Sequence, residues 1–218
     1  MIQQYRWICL AFFLMMPLLG HGADLKTLPP METDGLALVF SSVQTPNTIV
    51  YQVVDGDTIG KIAKRFGTTI ELIKSSNQLT KDTIRIGQFL RLWITPFTIH
   101  IDKSDNILVV MADQEVIKTY RVATGASNIT PVGDFIIESR FKNPTWFKKG
   151  EIIPPESPEN ALGSRWLGFN IPKYGIHGTI HPELIGQQVS HGCVRMLNSD
   201  VEELYNYIAI GTKVSITD

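Results

Sequence analysis

Ser190-His191-Gly192-Cys193-Val194-Arg195 contains the residue on which the reading of this chain turns. Only two cysteines occur in the 218 residues, and the other, Cys9, lies in an apolar N-terminal run. Trp7 to Leu19 is almost wholly apolar, follows a short, weakly basic start and precedes the small residues Gly20-His21-Gly22-Ala23. That is the layout of a secretory signal peptide, and the apolar run is short for a membrane-spanning helix. An uncleaved membrane anchor is the competing reading. With residues 1–23 removed, one thiol would remain unpaired in a compartment where thiols oxidise. Its setting then points to a reagent rather than an accident.

A cysteine attacks carbonyl carbon as its thiolate, so the site must lower the thiol pKa or supply a base. Two histidines compete for that role. His191 is two residues before the cysteine; residues two apart on an extended segment share a face, so contact is possible but poorly aligned. His177 lies sixteen residues upstream, within His177-Gly178, and a strand end can return it to the sulfur from another direction. Gly192 gives the backbone freedom beside the nucleophile. It also exposes amide groups, so the N–H of Cys193, and that of Gly192, are candidates for an oxyanion hole. Gly178 lets the chain turn so that a carbonyl can orient the imidazole. Arg195 offers a planar fork suited to a substrate carboxylate. Ser190 and His191 are candidates for holding the loop, Ser190 equally as scaffold, and Asn198 for bracing the loop, capping a helix or touching substrate. Zinc is the rival use of His177, His181, His191 and Cys193. The i, i+4 spacing of His177 and His181 suits a helical metal pair, but Gly178 and Pro182 argue against a helix, and no Glu follows His177. The reading is therefore no metal and, with no nucleotide or flavin motif in view, no cofactor.

Working back from the cysteine, residues 96–218 carry the marks of a mainly β domain. Phe97, Ile99 and Ile101 alternate with polar residues, and Ile107 to Met111, Val116 to Ala123 and Phe135 to Ser139 read as strands. Asp105-Asn106 and Asp113-Gln114 suit hairpin turns. One helix is expected near the C-terminus, with Ser199 and Glu202 as a capping box, Val201, Leu204, Tyr205 and Ile208 on one face and Gly211 as its stop. The expected architecture is an antiparallel sandwich or distorted barrel. The irregular stretch 138–169, with Trp146, Phe147 and Trp166, is a candidate lid, or else local core.

Ahead of it, residues 49–93 form a separate strand–helix–helix–strand (βααβ) unit. Val50 to Val54 is strand-like, Asp57 is placed to cap a helix bearing Ile59, Ile62, Ala63 and Phe66, Gly67 ends it, and Thr68 with Glu71 caps a second. A unit this small has little core and suits a binding module. Residues 24–48, with Pro29-Pro30 and Pro46, read as a linker; Leu36 to Phe40 within it is an apolar run that suits a strand packed on a neighbour. The net charge of -1 and the lack of a basic run argue against a nucleic-acid partner.

Two resemblances follow from these residues. Tyr51-Gln52-Val53-Val54-Asp55-Gly56-Asp57-Thr58-Ile59, Ile62 to Gly67, Asn77 and Ile84 to Leu90 resemble a LysM domain. This implies binding of N-acetylglucosamine-containing glycan, peptidoglycan in an exported protein, through Gly56, Asp57 and Thr58 on one side and Thr83, Ile84 and Arg85 on the other. His177-Gly178 with Ser190 to Asn198 resembles the active-site signature of YkuD-type L,D-transpeptidases. Gly125, Thr130 to Phe135 and Asn160-Ala161-Leu162-Gly163 agree, with Ala161 where the family carries Pro. This resemblance implies a peptidoglycan acyltransferase of the periplasm or cell wall, forming 3–3 cross-links through a Cys193 thioester on tetrapeptide stems. His177 would be the base and Gly178 its orienting carbonyl. An L,D-carboxypeptidase, a lipoprotein-anchoring acyltransferase, a thiol peptidase or amidase on the same stems, and a non-catalytic peptidoglycan-binding protein remain the alternatives.

Overall fold

The computed structural model describes residues 35–148 and 150–218, so the expected signal peptide and the first part of the expected linker lie outside it. The apolar run in the linker forms a short helix, α1 (Leu36–Phe40), rather than a strand. Leu36 and Val39 share one face of it and are buried in a core with Leu72, Trp93 and Phe97. Beyond α1 the chain is also held. The Arg91 guanidinium donates to the carbonyls of Val43 at 2.7 Å, Leu38 at 3.1 Å and Val39 at 3.2 Å. Residues 36–43 are thus docked structure and not the free linker expected. Sequence pattern missed this because the partner that satisfies those carbonyls lies some fifty residues away.

Next come β1 (Thr48–Gln52), α2 (Ile59–Phe66), α3 (Ile70–Ser76) and β2 (Phe89–Trp93), in the expected order. The two strands pair antiparallel, from Thr48↔Trp93 to Gln52↔Phe89. Val53, Ile59, Ile62, Ala63, Ile73, Leu90 and Leu92 fill the space between strands and helices. Both helix starts differ from expectation by one residue. Thr58 caps α2, accepting from the Lys61 amide at 3.2 Å, while Asp57 takes the Tyr51 hydroxyl at 2.6 Å and the Val54 amide at 3.1 Å. Thr69, not Thr68, caps α3, accepting from the Leu72 amide at 2.9 Å. In each pair the cap is the threonine with extended backbone just before the first helical residue, where the hydroxyl faces the amide three positions on.

The larger part begins with a meander, β3 (Phe97–Asp102), β4 (Ile107–Ala112) and β5 (Glu115–Arg121), turning at Asn106 and Asp113 with positive φ. It continues through β6 (Thr124–Gly125), β7 (Gly133–Lys142), β8 (Trp146–Lys148), β9 (Glu151–Ile153), β10 (Arg165–Phe169), β11 (Gly175–His177), β12 (Gln188–Ser190), β13 (Val194–Arg195), α4 (Asn198–Tyr207) and β14 (Lys213–Thr217). Eight strands form one sheet in the order β13-β11-β10-β7-β14-β3-β4-β5. All its pairings are antiparallel except β11 with β13 and β14 with β3. Just past β5, Ala123 exchanges both backbone hydrogen bonds with Arg195 of β13, each 2.8 Å. That single residue pair joins the two edges of the sheet, so the expected distorted barrel is what forms. The sheet and α4 enclose the main core of Ile99, Ile101, Leu108, Val110, Leu167, Ile176, Val194, Leu204 and Val214. α4 has no side-chain cap, and Ser199 bonds Asp200 instead of closing the box expected with Glu202. The helix ends at Tyr207, short of Gly211.

The LysM-like unit rests on this domain. Trp93 stacks on Phe97 at 5.3 Å, Glu71 pairs with Lys142 at 2.8 Å and with Arg140 at 3.6 Å, and the Thr69 hydroxyl donates to the Asn206 carbonyl.

Candidate active site

The site is written across three neighbouring strands. β10 sets Trp166 opposite His177, and the parallel pairing of β11 with β13 sets His177 beside Arg195. Side chains alternate along strands, so Trp166, His177 and Arg195 share a face, while Leu167, Ile176 and Val194 point to the core beneath α4. Cys193 leads into β13 one position before Val194, alongside Gly175, so the candidate nucleophile and the candidate base are offered from adjacent parallel strands. The Cys193 thiol donates to the Lys173 carbonyl at 3.2 Å. His191, the other candidate base, is exposed.

His177 is 4% exposed, and its Nδ1 lies 2.6 Å from the Gly178 carbonyl. A carbonyl only accepts, so Nδ1 carries the proton and Nε2 keeps its lone pair. Burial drives the imidazole down to about 4, against the pull of the Gly178 carbonyl toward the charged form, and the nearby Arg195 charge adds to the drop. Burial likewise pushes the Cys193 thiol above its ordinary value, although the Gly175 backbone and Arg195 draw it the other way. The resting pair is a neutral thiol and a neutral imidazole, and not a preformed thiolate–imidazolium pair.

Ser190 is buried and ties the turn together: its hydroxyl donates to the Cys193 carbonyl at 2.6 Å and accepts from the Gly192 amide at 3.0 Å. The Gly192 N–H is therefore committed and is no oxyanion donor, contrary to expectation. Gly192 matters for another reason. It has φ of +114°, and a Cβ there would lie 2.6 Å from Cε1 of Tyr174. Asn198, expected to brace the loop, cap the helix or touch substrate, acts as a brace: both ends of its carboxamide are engaged, accepting from the Ser164 amide at 3.1 Å and donating to the Thr179 carbonyl at 2.9 Å. Arg195 keeps a buried Nε without a hydrogen-bond partner among the described residues. His181 stands apart, 3.2 Å from Glu183 at the surface.

The expected lid divides into two. Trp166 belongs to the sheet and stacks on His177. Trp146 and Phe147 lie in the β8–β9 hairpin, where Phe147 faces Ile152 and both are largely exposed. The base of that hairpin is pinned by buried Asn160, which donates to the carbonyls of Pro144 at 2.8 Å and Pro154 at 3.1 Å. Sequence reasoning missed Lys173 and Tyr174 as parts of the site, and placed Trp166 in a lid or local core rather than against His177. The available signal was Trp166-Leu167-Gly168, an indole beside a glycine two positions on, which marks a ring lying flat over a strand.

In the LysM-like unit, Thr83 and Arg85 line a groove of about 750 Å³ with Gln78, Thr80, Lys81 and Gln88. Ile84 packs on the small core instead. Gly56, Asp57 and Thr58 do not line the groove. The Asp57 carboxylate is consumed by Tyr51, Val54 and Arg65, the Tyr51 hydroxyl foremost in holding it below its usual range. The Thr58 hydroxyl is spent on its helix.

The site thus sets a cysteine and a carbonyl-oriented histidine on adjacent strands of a curled β sheet. Residues 96–216, more than half of the chain, match the model of the YkuD L,D-transpeptidase catalytic domain, and residues 51–93 match the LysM domain. The chain belongs to the YkuD family of L,D-transpeptidases, which are peptidoglycan-modifying enzymes. It is 43% identical over 129 residues to YqjB of Bacillus subtilis, a protein named for L,D-transpeptidase activity, covering 56% of this chain and 72% of that one. It is 32% identical over 175 residues to the likewise named YkuD of the same organism, covering 77% of this chain and 98% of the relative. Among solved structures, an L,D-transpeptidase from Mycobacterium smegmatis aligns with 17% identity and a TM-score of 0.49 over 62% of this chain and 65% of that one. Among the described residues no helix is long and apolar enough to cross a membrane.

Proposed function

We propose that the protein forms 3–3 cross-links in peptidoglycan through a thioester on Cys193. The sulfur attacks the carbonyl between the L-centre of meso-diaminopimelate and the terminal D-alanine of a tetrapeptide stem. A bond forms from Sγ to carbon as the thiol proton passes to Nε2 of His177. The carbon–nitrogen bond then breaks, and the leaving D-alanine amine takes that proton. A side-chain amine of a neighbouring stem attacks the thioester, His177 again accepts a proton, and the sulfur leaves and is reprotonated. The observation that carries this reading is the Nδ1 contact to Gly178, which puts the ring proton on Nδ1 and the lone pair on Nε2. With Gly192 committed to Ser190, the Cys193 amide is the donor left for the oxyanion. The Arg195 guanidinium, whose Nε has no hydrogen-bond partner among the described residues, supports recognition of a stem carboxylate. The groove at Thr83 and Arg85 supports glycan contact by the LysM domain, and the apolar run of residues 7–19 supports export.

Digestion of purified muropeptides tests the reaction. Dimers that join a tripeptide donor to a tetrapeptide acceptor, with release of D-alanine, are expected; shortened stems alone would make the enzyme a carboxypeptidase, and no change would leave a binding protein. Intact mass after exposure to a carbapenem tests the nucleophile: an adduct on the wild type that is absent from Cys193→Ala is expected.

A further inference from the structure

The geometry points to Asn198 as a positioning residue for the base: its carboxamide fixes the Gly178–Thr179 peptide so that the Gly178 carbonyl stays on Nδ1 of His177. The inference rests on His177 acting as the base. Asn198 is the first residue of α4, at the far side of the signature from the thiol. Its carboxamide spans two loops, accepting from the Ser164 amide at 3.1 Å on the approach to β10 and donating to the Thr179 carbonyl at 2.9 Å on the exit from β11. Two glycines face it with nothing between. A Cβ at Gly163 would lie 2.3 Å from its Oδ1, and a Cβ at Gly178 only 2.1 Å. Gly178 lies outside the positive-φ region, so it is the closeness of this carboxamide, not backbone conformation, that bars a side chain there.

The consequence for the imidazole is direct. The Thr179 carbonyl is held by Nδ2, and Oδ1 fills the space where a Gly178 side chain would begin, so the peptide between them is restrained from both ends. Its oxygen is the one that holds Nδ1–H at 2.6 Å. If that peptide turned, the ring could exchange tautomers, and a ring protonated on Nε2 presents a donor, not a base, to the thiol. Asn198 touches neither sulfur nor imidazole and acts only through Gly178. Because Asn198 is exposed as a whole, removing its side chain opens no core cavity.

The test uses the full chain labelled with ¹⁵N-histidine. In wild type the His177 ring is expected as a single Nδ1–H tautomer. In Asn198→Ala the two tautomers should mix, and carbapenem acylation of Cys193 should slow by about tenfold or more at saturating reagent. Asn198→Asp keeps the acceptor for Ser164 but loses the donor for Thr179 and adds a negative charge. It should move the acid limb of the acylation profile to higher pH. Should Asn198→Ala not fold, Asn198→Ser gives the same readouts. A variant that keeps the pure Nδ1–H tautomer and the wild-type pH profile overturns the proposal, whatever its stability. A wild type that shows the tautomer but never acylates would instead sink the thioester reading and leave the positioning of the ring intact.

Discussion

The indole of Trp166 lies over the imidazole of His177, with ring centroids 5.8 Å apart and planes 20° from parallel. Flat space for the indole comes from two glycines: a Cβ at Gly168 would meet Nε1 at 2.6 Å, and one at Gly175 would meet Cζ2 at 2.9 Å. The indole therefore shields the imidazole from water and fixes its plane. Trp166→Ala should admit water to the ring, return its pKa toward the ordinary value and cost about 3 kcal/mol of stability. Trp166→Phe should retain most of both. Urea unfolding and the pH dependence of Cys193 acylation measure the two effects.

The buried His177 also predicts how stability varies with pH. Its folded value, about 4, lies below the ordinary value of 6.5, so the unfolded chain binds more protons between those limits. The stabilising contribution is complete above pH 6.5 and is lost as pH falls toward 4, to a total of about 3 kcal/mol. Urea midpoints between pH 4 and 7 should therefore fall more steeply for wild type than for His177→Gln. Equal slopes would mean that the ring is not buried in its neutral form.

The raised Cys193 thiol gives a separate expectation in the resting enzyme. Labelling by iodoacetamide should be slow at neutral pH and climb on the alkaline side of the ordinary thiol range. A labelling rate already at its plateau near pH 6 would reveal a preformed thiolate and exclude the neutral pair.

Gly192→Ala places a methyl group against Tyr174 and strains a φ of +114°. Acylation should fall by about 100-fold, the scale of a misplaced reacting group, with the fold retained. Shortening Tyr174 in the same chain should restore only part of the rate, because the backbone strain stays. Intact-mass time courses report both.

Arg91→Ala removes three hydrogen bonds from a buried guanidinium to the carbonyls of Leu38, Val39 and Val43. A loss of about 3 kcal/mol is expected. Residues 36–43 should become the first site of limited proteolysis, and unchanged cleavage there would show that the clamp does not hold that stretch.

Local pattern carried the elements well, because strand alternation and helical spacing are written in neighbouring residues. Phe97, Ile99 and Ile101 announced β3, and Ile59, Ile62 and Phe66 announced α2. What it lost was decided by distant partners or by one-residue geometry. Asp57 looked like a helix cap, yet Tyr51 and Arg65 claim its carboxylate and leave the cap to Thr58. Leu36 to Phe40 suited a strand because an apolar run has no period of its own, and the helix shows only in the face, Leu36 and Val39, that is buried in one core with Trp93 and Phe97. The cysteine and its histidine were legible as residue types. Their presentation from parallel neighbours β11 and β13 was not, since a parallel pairing leaves no hairpin signal. The oxyanion role expected of Gly192 was lost because Ser190 took up its amide, while Asn198 braces its loop, one of the roles expected of it, through Ser164 and Thr179.

The parallel seam between β3 and β14 joins segments separated by most of the catalytic domain, with Thr98 beside Lys213. The LysM unit closes on contacts within about 45 residues, so it can condense early, while β3 and β7 wait with bare edges for the strand that belongs between them. Folding should therefore be staged, with a quick binding module and a slow catalytic one. Until β14 arrives, those open edges are where the chain is most prone to self-association.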